Sequence, residues 1–184
     1  MTTDKQIRVA VLLGSSRTGS LNRRIAEHLR DHAPAGVTVD VVEGIDRVPF
    51  YNEELDGDHA PASATALREA VASADRVLAV TPEYNGTMPA VLNNAIDWLS
   101  RPYGQGAIVG KPFAAIGATP TPYGGKWSHE HARHSARIAG ALVVDTIVVD
   151  EPAVAGDPLQ DEAAVRRFLT ALDDLVAHEA EVAA

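Results

Sequence analysis

The chain contains no cysteine among its 184 residues. This absence excludes disulfide bonds, cysteine-ligated metal sites and a thiol nucleophile. Basic residues are outnumbered by acidic ones, 16 to 25, and the net charge of -9 argues against binding to nucleic acid or to an anionic membrane. Long apolar runs are absent as well, and residues 1–6 lack the basic and apolar regions of a secretory signal. The sequence therefore predicts a cytoplasmic protein that contacts neither nucleic acid nor membrane.

Apolar runs alternate with amphipathic segments along the whole chain. The runs predict five strands, at residues 7–13, 37–42, 76–81, 113–118 and 142–149. The amphipathic segments predict five helices, at residues 21–31, 62–74, 89–100, 128–139 and 161–180. Such alternation is typical of a parallel sheet covered by helices on both faces. We therefore expect one doubly wound α/β domain over residues 1–184, with strand order 2-1-3-4-5 and a frayed C-terminal end.

A loop rich in glycine and hydroxyl groups, residues 14–22, joins the first strand to the first helix. Unpaired backbone N–H groups at such a helix start favour a phosphate. Ser20 stands where a triphosphate loop has its lysine, and Ser16 stands where a dinucleotide fingerprint has its middle glycine. The four hydroxyls of the loop, with Arg17 and Asn22, are suited instead to a terminal phosphomonoester. The alternative is a plain turn in which Ser20 only caps the helix.

Two further loops are predicted at the same edge of the sheet. The second loop, residues 81–89, contains Asn85-Gly86, a turn pair able to adopt positive φ, and ends on a proline suited to a first helical turn. The third loop, residues 117–125, is again rich in glycine and hydroxyls and carries one aromatic residue. Ligands of doubly wound sheets bind where the strand order switches, between the first and third strands. We expect a phosphate on the first loop and a flat ring between the second and third, which fits flavin mononucleotide (FMN) better than an adenine dinucleotide.

Four segments carry a resemblance to a known family: residues 13–22, 81–86, 94–101 and 110–112. Together they resemble the NAD(P)H-dependent FMN reductase family, a flavodoxin-like group that includes quinone, chromate and azo-dye reductases. The resemblance covers nearly the whole chain and implies a flavodoxin-like fold. It implies that the FMN phosphate is held by Ser15, Arg17, Ser20, Leu21 and Asn22. It further implies that the isoalloxazine ring is lined by Pro82, Glu83, Tyr84, Asn85 and Gly86, and that Thr119, Gly124 and Gly125 face its pyrimidine side.

The resemblance also implies an activity and an assembly. The chain would pass a hydride from NADPH or NADH through bound FMN to a small acceptor such as a quinone, a free flavin or an azo compound. Because the flavin carries the redox chemistry, we expect no catalytic side chain and no metal. Donor and acceptor would use the same exposed flavin face in turn, which gives ping-pong kinetics. Family members are usually homodimers or dimers of dimers, and we expect the same of this chain.

The competing interpretation is a flavodoxin-type electron carrier that has no small-molecule substrate of its own. The acidic charge would suit such a carrier. Carriers of that kind usually have a threonine-rich phosphate loop and bracket the ring with aromatic side chains, and the loop around Arg17 differs from that pattern.

The predicted helix at residues 128–139 carries a group of basic side chains. His129, His131 and His134 lack a matching carboxylate cluster, so we interpret them as solvated or interface histidines and not as a metal site. Arg133 and Arg137 lie one turn apart, and we interpret them as exposed arginines or, alternatively, as ligands of the 2′-phosphate of NADPH.

Overall fold

Strands and helices alternate through residues 6–179, the part of the chain that a computed structural model describes. The strands are β1 (Ile7–Leu13), β2 (Val37–Val41), β3 (Arg76–Val80), β4 (Pro112–Thr119), β5 (Leu142–Val143) and β6 (Val149–Pro152). The helices are α1 (Leu21–Asp31), α2 (Ala62–Ala72), α3 (Ala90–Leu99), α4 (Lys126–Ile138) and α5 (Glu162–Ala177). Each predicted helix is present within a few residues of its predicted bounds. The predicted end of the last helix, at residue 180, lies outside the described residues.

The strands form one parallel sheet in the order β2-β1-β3-β4-β5, and β6 pairs with β4 beyond the end of β5. Val11 of β1, for example, lies between Val41 of β2 and Leu78 of β3. The order reverses between β1 and β3, so the loops that follow these two strands are neighbours. The predicted doubly wound fold with strand order 2-1-3-4-5 is confirmed.

The predicted fifth strand is wrong as one continuous element. Its first two residues pair with Pro112 and Phe113, and pairing with β4 resumes only where Val149 lies opposite Ile116. Between them the chain turns outward, and Asp145 forms an ion pair with Arg137 at 2.7 Å. A charged carboxylate is costly among the apolar side chains of a covered strand, so it is placed at the surface.

Alternating residues of the central strands face two apolar layers. Leu12 and Ala79 pack with α2, α3 and α4 on one face of the sheet. Val11 and Leu78 pack with α1 and α5 on the other. This period of two places the core on both faces of the sheet, so the loops at its edges are left to form a site. Among the helices of residues 6–179, none has the length and apolar character needed to cross a membrane.

Candidate active site

A cavity of about 550 Å³ opens at the carboxyl edge of the sheet, where the three loops predicted from the sequence meet. Residues 153–157, which follow β6, close its remaining side. The predicted site residues that line it are Ser15, Arg17, Ser20, Leu21, Asn22, Pro82, Glu83, Tyr84 and Thr119. The other predicted residues, Asn85, Gly86, Gly124 and Gly125, belong to the same loops but do not line the cavity.

The first loop presents polar groups that the fold does not use. Ser20 is buried, yet its side chain makes no capping hydrogen bond to α1. Ser20 occupies the N-cap position, but the side-chain capping bond that the plain-turn alternative assumes is not formed. The first backbone N–H groups of a helix have no partner within it, so the start of α1 offers donors to the cavity. Arg17 is exposed at the mouth and forms no ion pair with a carboxylate whose side chain the structure describes.

Close backbone approach explains why glycine begins this loop. The N–H of Gly14 donates to the carbonyl of Val80 at 2.9 Å. A Cβ atom at position 14 would lie 2.1 Å from Oγ1 of Thr81, far inside van der Waals contact. The first and second loops can therefore lie side by side only because residue 14 lacks a side chain.

Asn22 joins the first helix to the end of β4. Its amide Nδ2 donates to the carbonyl of Ala118, and the N–H of Ala118 donates to its Oδ1, both at 2.9 Å. The side chain is buried. Its carboxamide is thus engaged in holding two loops together, a role that sequence reasoning did not predict. The only local signal was a polar residue on the inward face of an amphipathic helix.

The second loop is a tight hairpin. Tyr84 and Thr87 exchange backbone hydrogen bonds of 3.0 and 3.1 Å. Between them Asn85 and Gly86 have φ values of 52° and 71°, as in a two-residue turn of the mirror-image type. The prediction that this pair adopts positive φ is confirmed. The turn leaves the ring of Tyr84 54% exposed beside the cavity.

The N-terminus of α4 fastens the second loop from behind. Oε2 of Glu83 accepts hydrogen bonds from the N–H groups of Trp127 and Ser128, at 3.0 and 3.2 Å. The hydroxyl of Ser128 donates to the carbonyl of Pro82 at 2.8 Å. Sequence reasoning missed this role of Glu83. The available signal was the residue before α4, Gly125, which has no side chain and therefore leaves the cap to another part of the chain.

The histidines of α4 differ from one another, and the prediction of a solvated or interface cluster is wrong for His129. Its ring is fully buried, with Nδ1 2.5 Å from Oδ1 of Asp150 and Nε2 3.1 Å from the carbonyl oxygen of Thr81. His131 is exposed, and its Nδ1 lies 2.8 Å from Oγ1 of Thr87. His134 is exposed in a groove between α3 and α4. Helical spacing explains the difference, because residues 129 and 131 point to different sides of a helix.

The two arginines of α4 are not a pair of free surface cations. Arg133 is buried, and one of its guanidinium nitrogens, Nη1, has no hydrogen-bond partner among the described residues. Arg137 is neutralised by Asp145. The expectation that both arginines are exposed is wrong, and neither lines the cavity.

A second arginine at the rim of the cavity, Arg24, forms an ion pair with Asp157. Nη1 of Arg24 lies 2.5 Å from Oδ2 of Asp157. Burial disfavours the charged form of Asp157, but hydrogen bonds from Arg24 and from the N–H of Leu159 outweigh it and hold the pKa of that carboxyl below its usual range. Asp157 is thus ionised and paired, which leaves Arg17 as the cation available to an anionic ligand.

The cavity suits FMN on these grounds. Hydroxyls, unpaired helix N–H groups and a free guanidinium are the donors that a phosphomonoester requires. The exposed ring of Tyr84 and the apolar surface of Pro82 line another part of the same cavity, and a flat ring would rest there. The volume is within the range of small-molecule sites, about 300–1,000 Å³.

Comparison with known proteins identifies the class. The sequence pattern of the NADPH-dependent FMN reductases matches residues 7–154, so the chain belongs to that family. It is 42% identical over 146 residues to a 2-hydroxy-1,4-benzoquinone reductase from a Burkholderia species, covering 79% of this chain and 76% of the relative. It is 35% identical over 159 residues to a quinone reductase from Escherichia coli, covering 86% and 81% of the two chains.

A solved structure supports the same assignment. The flavoenzyme NAD(P)H:(acceptor) oxidoreductase from Paracoccus denitrificans superimposes with a TM-score of 0.79 at 30% identity, over 94% of this chain and 98% of that one. The predicted family and the predicted enzyme class, an oxidoreductase, are confirmed. FMN and a reduced nicotinamide are likewise confirmed as the flavin and the donor of the family to which the chain belongs.

Proposed function

We propose that this chain binds FMN in the cavity at the carboxyl edge and uses NADPH or NADH to reduce a small acceptor of the quinone class. The observation that carries the proposal is the convergence of three loops on one cavity whose mouth holds an unpaired arginine. The names of its relatives, a benzoquinone reductase and a quinone reductase, favour a quinone over other small acceptors. A cytoplasmic location stays a prediction.

Each loop has a separate role in this proposal. Ser15, Arg17 and Ser20 bind the phosphate together with the first N–H groups of α1, those of Leu21 and Asn22. The turn from Pro82 to Gly86 supports the isoalloxazine ring, and Thr119, Gly124 and Gly125 face its pyrimidine side. When bound, FMN supplies the hydride chemistry. The residues of the chain therefore bind and orient, and we assign no proton transfer to any of them.

Donor and acceptor are proposed to use one face of the ring in turn. Tyr84 lines the cavity and is 54% exposed, and Tyr123 of the third loop is 57% exposed. The strand ends would lie against the other side of the ring, and one face would be open to both substrates. Alternate occupancy of that face gives ping-pong kinetics.

A homodimer is proposed as the working form. A groove of about 580 Å³ between α3 and α4 contains Thr87 of the second loop and ends near Tyr103 and Ile138, which are 83% and 69% exposed. Exposed apolar groups in one groove favour a protein contact. Light scattering should find a dimer or tetramer for the native chain and a smaller species for Ile138→Asp. Val148→Asp, an exposed apolar position outside the groove, is the matched control.

The flavin site is tested by titrating the flavin-free protein with FMN and with riboflavin, which lacks the phosphate. Arg17→Ala should weaken the binding of FMN at least about tenfold and should change the binding of riboflavin little. The reason is that a charged hydrogen bond is lost only with FMN. Arg30→Ala, which removes an arginine paired with Asp31 on the far end of α1, should change neither. A protein that takes up no flavin would end the proposal. Bound FMN that NADPH and NADH do not bleach without oxygen would favour the electron carrier instead.

A further inference from the structure

A buried pair, His129 and Asp150, lies directly behind the second and third loops. His129 belongs to the first turns of α4, and Asp150 belongs to β6. The imidazole is fully buried, and the carboxylate side chain is mostly so. Neither residue lines the cavity, and neither was predicted to contribute to a site.

Both nitrogens of the ring lie within hydrogen-bond distance of an oxygen. Nδ1 faces a carboxylate oxygen of Asp150, and Nε2 faces the carbonyl oxygen of Thr81. Both of these oxygens are acceptors, whereas a neutral imidazole carries only one N–H. With a single hydrogen on the ring and an ionised Asp150, one ring nitrogen would turn its lone pair toward an oxygen lone pair. The arrangement is satisfied by an imidazolium that donates to both oxygens, and the carboxylate of Asp150 compensates its charge.

The pair reaches the second loop through Thr81. Thr81 is fully buried, and its carbonyl immediately precedes Pro82, which lines the cavity. A Cβ atom at Gly117 would lie 2.2 Å from that carbonyl oxygen and 3.0 Å from Nε2 of His129, so the peptide group has no room to rotate on the β4 side. The contact with Nε2 of His129 holds this carbonyl in place.

The pair reaches the third loop through Asp150. A Cβ atom at Gly124 would lie 2.2 Å from the backbone oxygen of Asp150. At Gly125 it would lie 3.0 Å from Cε1 of His129. The two glycines that the resemblance places at the pyrimidine side of the flavin thus rest on the two members of the pair.

We propose that His129 and Asp150 are positioning residues that hold the second and third loops in register with each other around the flavin ring. This inference rests on the proposed function, because it takes FMN to be the ligand of these loops. The pair acts through Thr81 and Gly124 and does not touch the cavity itself. The ring joins the two loops because each of its nitrogens reaches an acceptor oxygen, one on Asp150 and one on Thr81.

The first test is nitrogen NMR of the flavin-free protein labelled in histidine. Both ring nitrogens of His129 should carry hydrogen. Asp150→Asn removes the compensating charge, and the ring should then lose one of its two hydrogens. A ring with a single protonated nitrogen in the native protein would overturn the inference. This measurement does not depend on FMN, so its failure is distinct from a failure of the proposed function.

The second test compares FMN binding among four variants. His129→Leu and Asp150→Asn should each weaken FMN about tenfold, the cost of one hydrogen bond to a buried group. The visible spectrum of the bound flavin should move toward that of free FMN. His129→Gln keeps one donor for the Thr81 carbonyl and should restore the affinity to within about threefold of the native value. His59→Leu, at an exposed loop histidine, should leave both unchanged.

Three outcomes separate the possibilities. A native protein that binds no FMN would contradict the proposed function and leave the NMR test of the pair standing. Native-like affinity and spectrum in His129→Leu and Asp150→Asn would contradict the positioning role alone. If His129→Leu is unfolded by circular dichroism, Asp150→Asn decides, because it conserves the size and shape of the side chain.

Discussion

Asn22 and Ala118 are 96 residues apart and exchange two hydrogen bonds. One runs from the side-chain amide to the carbonyl and the other from the backbone N–H to the side-chain oxygen, both at 2.9 Å. This reciprocal contact ties the phosphate end of the proposed site to the strand that carries its ring end. The distance between the two ends of the cavity is therefore set by hydrogen bonds within the chain before any ligand binds.

Replacing Asn22 by leucine should destabilise the flavin-free protein by about 2–4 kcal/mol, since it leaves a buried donor and a buried acceptor of Ala118 unpaired. Urea unfolding measures the change. Asn93→Leu is the matched control, because Asn93 is exposed on α3 and bonds only Asp97. Its effect should stay within about 0.5 kcal/mol. Equal losses in the two variants would show that the contact with Ala118 does not stabilise the fold.

Glu83→Ala should lower the free energy of unfolding by about 1–2 kcal/mol, because the first turn of α4 loses the acceptor of two N–H groups. Glu83→Gln keeps one acceptor oxygen, so its free energy of unfolding should lie between those of Glu83→Ala and the native protein. Glu130→Ala on the same helix removes only an exposed contact of 3.9 Å to Lys126 and should cost little. A Gln variant as unstable as the Ala variant would contradict the capping role.

The architecture was predictable because hydrophobic period and turn chemistry agree along most of the chain. The bounds of α1, residues 21–31, follow from one amphipathic repeat that is followed closely by a proline and a glycine. The interruption of the fifth strand was not predictable from its apolar run. The run does not indicate that Asp145 forms an ion pair with Arg137, between the two segments that pair with β4. Local pattern indicates which residues are apolar, and only tertiary contacts decide where pairing stops.

The candidate site was predictable to the level of loops and not to the level of side-chain roles. Glycines and hydroxyls at strand ends point to a cavity at the carboxyl edge whatever the other contacts are. The partners of Glu83 and of His129 lie 44 and 21 residues away in sequence, and no spacing rule connects them. Residues that hold loops together therefore resemble ligand-binding residues in sequence, and coordinates are needed to separate the two.

An ion pair between Asp56 and Arg68 should make the protein sensitive to acid. A hydrogen bond from Arg68, opposed by burial and supported by the N–H of Gly57, lowers the pKa of Asp56 from 3.8 to about 2. A carboxyl with a lowered pKa in the folded state stabilises the fold above its unfolded pKa, and this stability is lost as the pH falls from about 4 toward about 2. At neutral pH the contribution is about 2 kcal/mol.

Urea unfolding of the native chain and of Asp56→Asn measures this contribution. The difference between them should be about 2 kcal/mol at pH 7 and about 1 kcal/mol near pH 3. Asp40→Asn breaks an exposed ion pair with Arg8 and should change stability little at either pH. A difference that is the same at both pH values would mean that the variant acts by packing and not by charge.

The proposal that donor and acceptor use one flavin face in turn leads to a kinetic prediction. Initial rates measured with NADPH and 1,4-benzoquinone, each varied at several fixed concentrations of the other, should give parallel double-reciprocal lines. High benzoquinone should inhibit competitively against NADPH, because both would compete for the same flavin face beside Tyr84. Lines that intersect would show that donor and acceptor bind together. Intersecting lines would overturn the ping-pong order without touching the assignment of FMN, which the flavin titration tests separately.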